Sequence, residues 1–256
     1  MLINQTHEQL ISMKLNAMSQ KLQELLSNPN SVQMSFEELI GFMVQHQWEE
    51  KHNKKINRRL AAACLRYPEA SMESIDYSKI FGIDTNAMRR LSYCRWIKEH
   101  HNIILTGPTG AGKSFLLCAL ANQACRQGFT AMYYRPMALE QAFKLARGTG
   151  KLLKFFDSLI KVQVLILDDW FMTAMSEQMR QDLFEVIESR YGRGSTLIGS
   201  QMPIKQWYEI IENPTVADAL LDRLMHNTYK LNLVGGSVSN RESLKHRLED
   251  LSQPIN

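Results

Sequence analysis

Ile103-Ile104-Leu105-Thr106-Gly107-Pro108-Thr109-Gly110-Ala111-Gly112-Lys113-Ser114 runs from an apolar strand through a glycine-rich turn into a stretch of helix formers, Phe115 to Gln127. The pattern is G-x-x-x-x-G-K-[ST] with a strand before it and a helix after it, the context a phosphate-binding loop requires. Backbone N–H groups of such a turn, together with the positive end of the next helix, cradle phosphate oxygens. The whole loop, Gly107, Pro108, Thr109, Gly110, Ala111, Gly112, Lys113 and Ser114, is therefore expected to bind a nucleoside triphosphate. Lys113 is expected to reach the β/γ-phosphates and the Ser114 hydroxyl to sit on Mg²⁺.

Some 55 residues on, Val162-Gln163-Val164-Leu165-Ile166-Leu167-Asp168-Asp169 is an apolar strand that ends in two acids. Open α/β sheets bind ligands at the carboxyl ends of their strands, where these carboxylates would emerge. Asp168 is expected to hold Mg²⁺ beside Ser114, and Asp169 to polarise the water that attacks the γ-phosphate. Taken alone, an apolar run capped by acids is only a strand followed by a helix cap. Ser195 to Pro203 is another short apolar strand that ends in small polar groups, Ser200 and Gln201, either of which could orient the water; it also reads as an ordinary turn before a helix. Arg223 closes a helix in Ala217-Asp218-Ala219-Leu220-Leu221-Asp222-Arg223-Leu224. It reads as a surface ion-pair partner or as an arginine finger reaching a neighbour's site.

From about residue 75 strands and helices alternate, which predicts a parallel sheet with crossover helices. Strands are expected at 102–106, 130–134, 163–167, 195–200 and 229–233. Helices are expected at 85–99, 113–127, 136–147, 151–160, 177–192, 203–211 and 215–226. Residues 1–67 read as a separate, all-helical domain, 68–236 as the nucleotide domain and 237–256 as a polar tail. One helix is expected from Gln5 to Leu26, broken at Asn28-Pro29-Asn30. A second should run from Phe36 towards Leu65, opened by a capping box at Ser35-Phe36-Glu37-Glu38.

Composition narrows the class. With 45% apolar and 22% charged residues, 256 residues can bury a core. The N-terminus lacks the basic and apolar regions of a leader, and no run approaches the ~18 apolar residues of a membrane span. The four cysteines have neither C-x-x-C nor Cys/His ligand spacing, as expected of buried thiols in a reducing cytoplasm. A net charge of +4 conceals clusters: Lys51, Lys54, Lys55, Arg58, Arg59 and Arg66, then Arg89, Arg90, Arg95 and Lys98. Such patches suit either a polyanionic partner or a solvated helix face.

The order of Gly-Pro-Thr-Gly-Ala-Gly-Lys-Ser, Leu-Asp-Asp-Trp, Ser-Gln-Met-Pro and Pro-Thr-x-Ala-Asp-Ala-x-Leu-Asp-Arg-Leu-x-His-Asn resembles the IstB-like branch of AAA+ ATPases, the helpers of insertion-sequence transposases and relatives of the DnaC helicase loader. The resemblance covers most of the chain, including Thr6 to Met18 and Ala121 to Gly128. It implies an AAA+ five-stranded parallel sheet preceded by a small helical domain. By position, Lys113 and Ser114 match Walker A, and Asp168 and Asp169 match Walker B, with Asp169 where wider AAA+ enzymes carry Glu. Ser200 and Gln201 fall at sensor 1, and Arg223 matches a trans-acting finger, implying a homo-oligomer with shared ATP sites. Gly235-Gly236-Ser237-Val238-Ser239 replaces the family's frequent closing Gly-Glu-Ser-Met-Arg, and the nearest arginine is Arg241, so the resemblance does not assign a sensor-2 arginine. Phe171 follows Trp170 where relatives usually have Gly.

Lys144, Arg147, Lys151 and Lys154 recur at spacings of three, four and three, along one helical face interrupted by Gly148-Thr149-Gly150. In initiator-type AAA+ proteins this region faces the channel of the oligomer, so the resemblance favours contacts to duplex DNA there. Phosphate contacts bind with little sequence preference. Lys54, Lys55, Arg58 and Arg59 either add DNA contacts or meet the transposase. The expected function is an ATP- and Mg²⁺-dependent ATPase that assembles on double-stranded DNA, bends it and assists a transposase. The alternative is a helicase loader, which would grip a helicase through residues 1–67 and prefer single strands. A small-molecule kinase fits less well, having no use for Arg223 or a basic helical prefix.

Overall fold

The computed structural model of the chain describes residues 2–28, 33–77, 82, 84–172 and 175–234. They form two compact units that divide between Arg58 and Arg59. The division falls earlier than the boundary expected at residue 67. Leu60, Ala63, Leu65 and Tyr67 pack into the core of the second unit, so the end of the long basic helix belongs there.

The first unit holds α1 (Leu2–Ser12), α2 (Asn16–Ser27) and the first part of α3 (Phe36–Ala63). The single helix expected from Gln5 to Leu26 is two. Lys14 takes a left-handed φ of 59°, and Leu15 N–H bonds back to Leu10 O at 2.8 Å, which closes the turn. α3 opens with the reciprocal capping box: Ser35 N–H donates to Glu38 Oε2 at 2.7 Å, and Glu38 N–H donates to Ser35 Oγ at 3.3 Å. Pro29 and Asn30 lie outside the described residues, as do Gly235 to Arg241 and the tail expected at 237–256.

The second unit begins with α4 (Thr85–Ser92) and α5 (Arg95–Lys98), where one helix was expected; Cys94, at φ 55°, breaks it. There follow β1 (Asn102–Thr106), α6 (Lys113–Arg126), β2 (Ala131–Tyr134), α7 (Pro136–Gly148), α8 (Leu152–Lys161), β3 (Val164–Leu167), α9 (Glu177–Arg190), β4 (Ser195–Ser200), α10 (Ile204–Ile211), α11 (Pro214–Met225) and β5 (Thr228–Asn232). The five strands pair in parallel in the order β2-β3-β4-β1-β5.

Because helices cover both faces, the inner strands are apolar without alternation. Ile103, Leu105, Val164, Ile166 and Leu197 enter one core with α6. Ile104, Leu165, Leu167 and Ile198 enter the other with α7, α8, α9, α10 and α11. β4 lies between β1 and β3, so the segments leaving all three strands emerge side by side.

Arg190 ties this layer together. It is 1% exposed, and its guanidinium donates to Leu159 O at 2.7 Å, Val162 O at 2.6 Å and Ser195 O at 2.6 Å. Burial lowers its pKa to about 10, and carbonyl oxygens rather than a carboxylate stabilise the cation.

Candidate nucleotide site

Arg66, Tyr67, Thr109, Gly110, Gly112, Lys113, Ser114, Phe115, Arg135, Asp169 and Gln201 line one cavity of about 400 Å³ at the carboxyl edge of the sheet. The loop leaves β1 at Thr106 and enters α6 at Lys113. Gly110 and Gly112 take φ of 83° and 92°, the left-handed conformation that glycine adopts without steric cost. Ala111 turns into the core, and Gly107 and Pro108 supply carbonyls. Lys113 Nζ donates to Gly107 O at 2.7 Å and Pro108 O at 2.9 Å, so the loop holds its own ammonium in place. Burial lowers the Lys113 pKa, while Asp169 and Asp168 pull it the other way.

Asp168 is fully buried at the end of β3. Its Oδ2 accepts from the Tyr133 hydroxyl at 2.6 Å, and its Oδ1 accepts from Asp169 N–H at 3.0 Å. Burial and that bond raise the Tyr133 pKa, so the phenol stays protonated and donating. A Cβ on Gly199 of β4 would sit 2.5 Å from Asp168 Oδ1 and 2.7 Å from Leu117 Cδ1; glycine alone leaves room for the carboxylate. A hard cation suits an oxygen donor set of the Ser114 hydroxyl and Asp168 completed by phosphates, the usual arrangement for Mg²⁺. Among the described residues no group of three or more His, Cys, Asp or Glu could cage a metal without phosphate.

Asp169 faces the cavity and carries two arginines. Arg135 Nη2 lies 2.6 Å from its Oδ2, and Arg66 Nη1 lies 3.5 Å away. Burial opposes the charge on Arg66, but Tyr67, Tyr133 and Asp169 outweigh it and raise its pKa. Asp169 and Phe171 both have left-handed backbones, φ 56° and 57°, on either side of Trp170. That strained turn aims Asp169 outward. It also accounts for the glycine usual at the position of Phe171: here a buried phenyl takes a glycine conformation and stacks on Trp207, with ring centroids 4.3 Å apart.

Of the two polar residues after β4, the structure brings Gln201 to the cavity, where its Oε1 accepts from the Thr109 hydroxyl. Ser200 is fully buried, its hydroxyl donating to Trp170 O at 2.6 Å and accepting from Met202 N–H at 3.2 Å. Arg223 is not with them. Asn102, the first residue of β1, donates through Nδ2 to Arg223 O at 3.4 Å, so Arg223 lies at the opposite end of the sheet from the loop. Its guanidinium bonds Glu188 at 2.8 Å and Asp222 at 2.9 Å, and stands 5.5 Å from the Tyr191 ring.

On the α7–α8 hairpin, Lys144, Lys151 and Lys154 are exposed. Lys144 pairs with Glu140 at 3.0 Å. Arg147 differs from them, tied to the buried Asp182 and standing 5.9 Å from the Phe143 ring. In the first unit Lys54, Lys55 and Arg58 are exposed; Arg59 is half-buried in the second.

A family model described as "IstB-like ATP binding protein" matches residues 8–246. The chain belongs to that family. This IstB-like protein is 41% identical over 245 residues to an insertion-sequence ATP-binding protein of Sinorhizobium fredii, covering 96% of this chain and all of that one. It is 38% identical to the insertion sequence IS1162 ATP-binding protein of Pseudomonas fluorescens, over 79% of this chain and 88% of the relative. Its fold is similar to that of DnaI (TM-score 0.54, 22% identity, 64% of this chain and 91% of DnaI). The DnaC helicase loader is a second such neighbour (TM-score 0.51, 17% identity, 66% and 98%). The IstB-like chain thus belongs to an ATP-binding family and shares its fold with DnaI and DnaC, and no helix among its described residues is long and apolar enough to cross a membrane.

Residue type alone does not set Arg135, Tyr133 or Gly199 apart in the sequence, and Arg66 stands there as one more basic residue. The signal for Arg135 was its place directly after a predicted strand, at the edge where the acids emerge.

Proposed function

We propose that ATP joins copies of this chain into an oligomer on duplex DNA, that the oligomer bends the DNA, and that it presents the bent DNA to a transposase. Hydrolysis then remodels or releases the assembly. The observation that carries this reading is the separation of Arg223 from the phosphate cavity by the length of β1, roughly 16 Å at about 3.3 Å per residue. One chain cannot bring its own Arg223 to its own Lys113. A second copy can.

In that shared site Lys113 leaves the Gly107 and Pro108 carbonyls for the β/γ-phosphates, and the loop N–H groups hold the rest of the triphosphate. Ser114 and Asp168 hold Mg²⁺, which supplies charge neutralisation at the phosphates. Asp169 polarises the attacking water, and Gln201 orients it. Arg223 from the neighbour exchanges Glu188 for the γ-phosphate, which makes nucleotide a switch for assembly. Lys144, Lys151 and Lys154 meet DNA phosphates, with Lys54, Lys55, Arg58 and Arg59 adding contacts; Arg147, already paired, contributes less. The insertion-sequence names of the relatives support a transposase as the partner.

Filter binding of duplex and single-stranded DNA with ATP, a non-hydrolysable analogue and ADP tests the reading, with Arg223→Ala beside the wild type. Tight duplex binding with ATP is expected, and the variant should lose assembly and hydrolysis while still binding nucleotide. Preference for single strands would point instead to a helicase loader. A protein that stays monomeric and ignores DNA in every nucleotide state would overturn the reading.

A further inference from the structure

Leu145 and Leu153 are the large apolar residues beside the α7–α8 turn that folding leaves exposed; Met137, also exposed, stands at the far end of α7. Leu145 is 69% exposed and Leu153 is 82% exposed. α7 buries Leu139, Phe143 and Ala146, and α8 buries Leu159. Neither exposed leucine shares the face of those residues; Leu153 lies one and two turns from the charged Asp157 and Lys161. Each sits next to a lysine, in Lys144-Leu145 before the turn and Leu153-Lys154 after it.

The turn that presents them is closed by backbone hydrogen bonds. Thr149 N–H donates to Leu145 O at 3.0 Å, Gly150 N–H to Arg147 O at 3.1 Å and Lys151 N–H to Ala146 O at 2.8 Å. Behind the turn Arg147 pairs with Asp182 of α9, and Phe143 packs against Phe155 and Phe156. Lys151 and Lys154 have no ion-pair partner among the described residues, so the surface around the leucines is cationic. An apolar tip flanked by ammonium groups, of which Lys151 and Lys154 are unpaired among the described residues, complements a polyanion with a stacked apolar interior. Proteins that kink DNA combine an apolar wedge between base steps with flanking cations on phosphates.

We infer that Leu145 and Leu153 are wedges that enter the minor groove of duplex DNA and unstack base steps, with Lys144, Lys151 and Lys154 on the adjacent phosphates. The inference rests on the proposed duplex binding and assigns the bend to two side chains. It separates affinity, which the lysines supply, from curvature, which the leucines supply.

The test uses the full chain with a non-hydrolysable ATP analogue. The probes are duplexes of mixed sequence carrying a donor–acceptor pair at the ends, or 2-aminopurine inside. The Leu145→Ser/Leu153→Ser double variant should bind within about tenfold of wild type, as expected when phosphate contacts carry most of the affinity. It should lose most of the end-to-end approach and the 2-aminopurine enhancement, while Leu153→Met keeps both. A double variant that bends DNA and unstacks 2-aminopurine like the wild type overturns the wedge. So does one that binds weakly because its oligomers no longer form, which would put the leucines between protein copies. Wild-type protein that binds no duplex at all would instead sink the proposed function, and the wedge with it.

Discussion

Arg135 Nη2 lies 2.6 Å from Asp169 Oδ2, so the carboxylate that faces the phosphate cavity is already ion-paired within its own chain. A carboxylate oxygen that accepts from a guanidinium must give up that bond before it can accept from the attacking water. Arg135→Ala should therefore raise ATP hydrolysis in the absence of DNA several-fold. Asp169→Asn in either background should remove hydrolysis by roughly 10²–10⁴-fold, the usual share of a general base. Steady-state phosphate release with and without duplex checks both. A lower basal rate in Arg135→Ala would mean that the arginine serves the phosphates instead.

Gly199 sets the position of Asp168. In Gly199→Ala the added methyl would overlap Asp168 Oδ1 at 2.5 Å and Leu117 Cδ1 at 2.7 Å, and one of them must move. The carboxylate is the movable neighbour, since Leu117 is wedged in the core. The variant should fold, bind nucleotide weakly affected, and need a much higher Mg²⁺ concentration for half-maximal hydrolysis. A magnesium titration of ATPase activity decides it; an unchanged midpoint would remove Asp168 from the metal.

At Phe171 two effects oppose each other. Phe171→Ala loses the stack on Trp207 and keeps the left-handed strain at φ 57°, for a cost of about 3–5 kcal/mol. Phe171→Gly loses the same ring but relieves strain of order 1 kcal/mol. Glycine should thus be the less damaging replacement by about 1 kcal/mol, the reverse of their order in a helix. Urea unfolding of the two variants measures the difference.

Burial raises the thiol of Cys94 to about 12 and those of Cys118 and Cys125 to about 11, against an ordinary 9.0. A raised folded-state pKa stabilises the fold fully below the unfolded value and loses that contribution as pH climbs through the folded one. The urea midpoint should hold up to pH 9 and fall between pH 9 and about 12. Tyr133, likewise raised by burial from 10.0, reinforces the fall. Cys64 is exposed, so a thiol reagent at pH 8 should label one cysteine in the native chain and four in urea. More than one fast native label would contradict the buried environments.

The sheet was legible because each strand is an apolar run bounded by turn residues, and the phosphate loop because its glycines fall where the backbone must turn left-handed. Asp168 and Asp169 were legible for the same reason, standing at the end of such a run. What escaped reading depends on contacts across the sequence. Arg190 looks in the chain like a solvated helix end, yet carbonyls from Leu159 and Val162, some thirty residues away, enclose it. Ser200 and Gln201 could not be separated by residue type, because both are polar. Their roles diverge only once the Trp170 carbonyl is seen over the serine and Thr109 beside the glutamine. The break at Cys94 and the split at Lys14 carry neither Gly nor Pro, so nothing local announces them.

The distance between Arg223 and the loop has a geometrical corollary. A contact that joins them across two molecules pairs unlike surfaces, and every molecule added presents the same unlike pair again. Growth of that kind has no built-in stop. Whether it closes into a ring or winds on as a spiral is decided by the rotation and rise of each step, and a spiral can match its pitch to a helical track running through its middle.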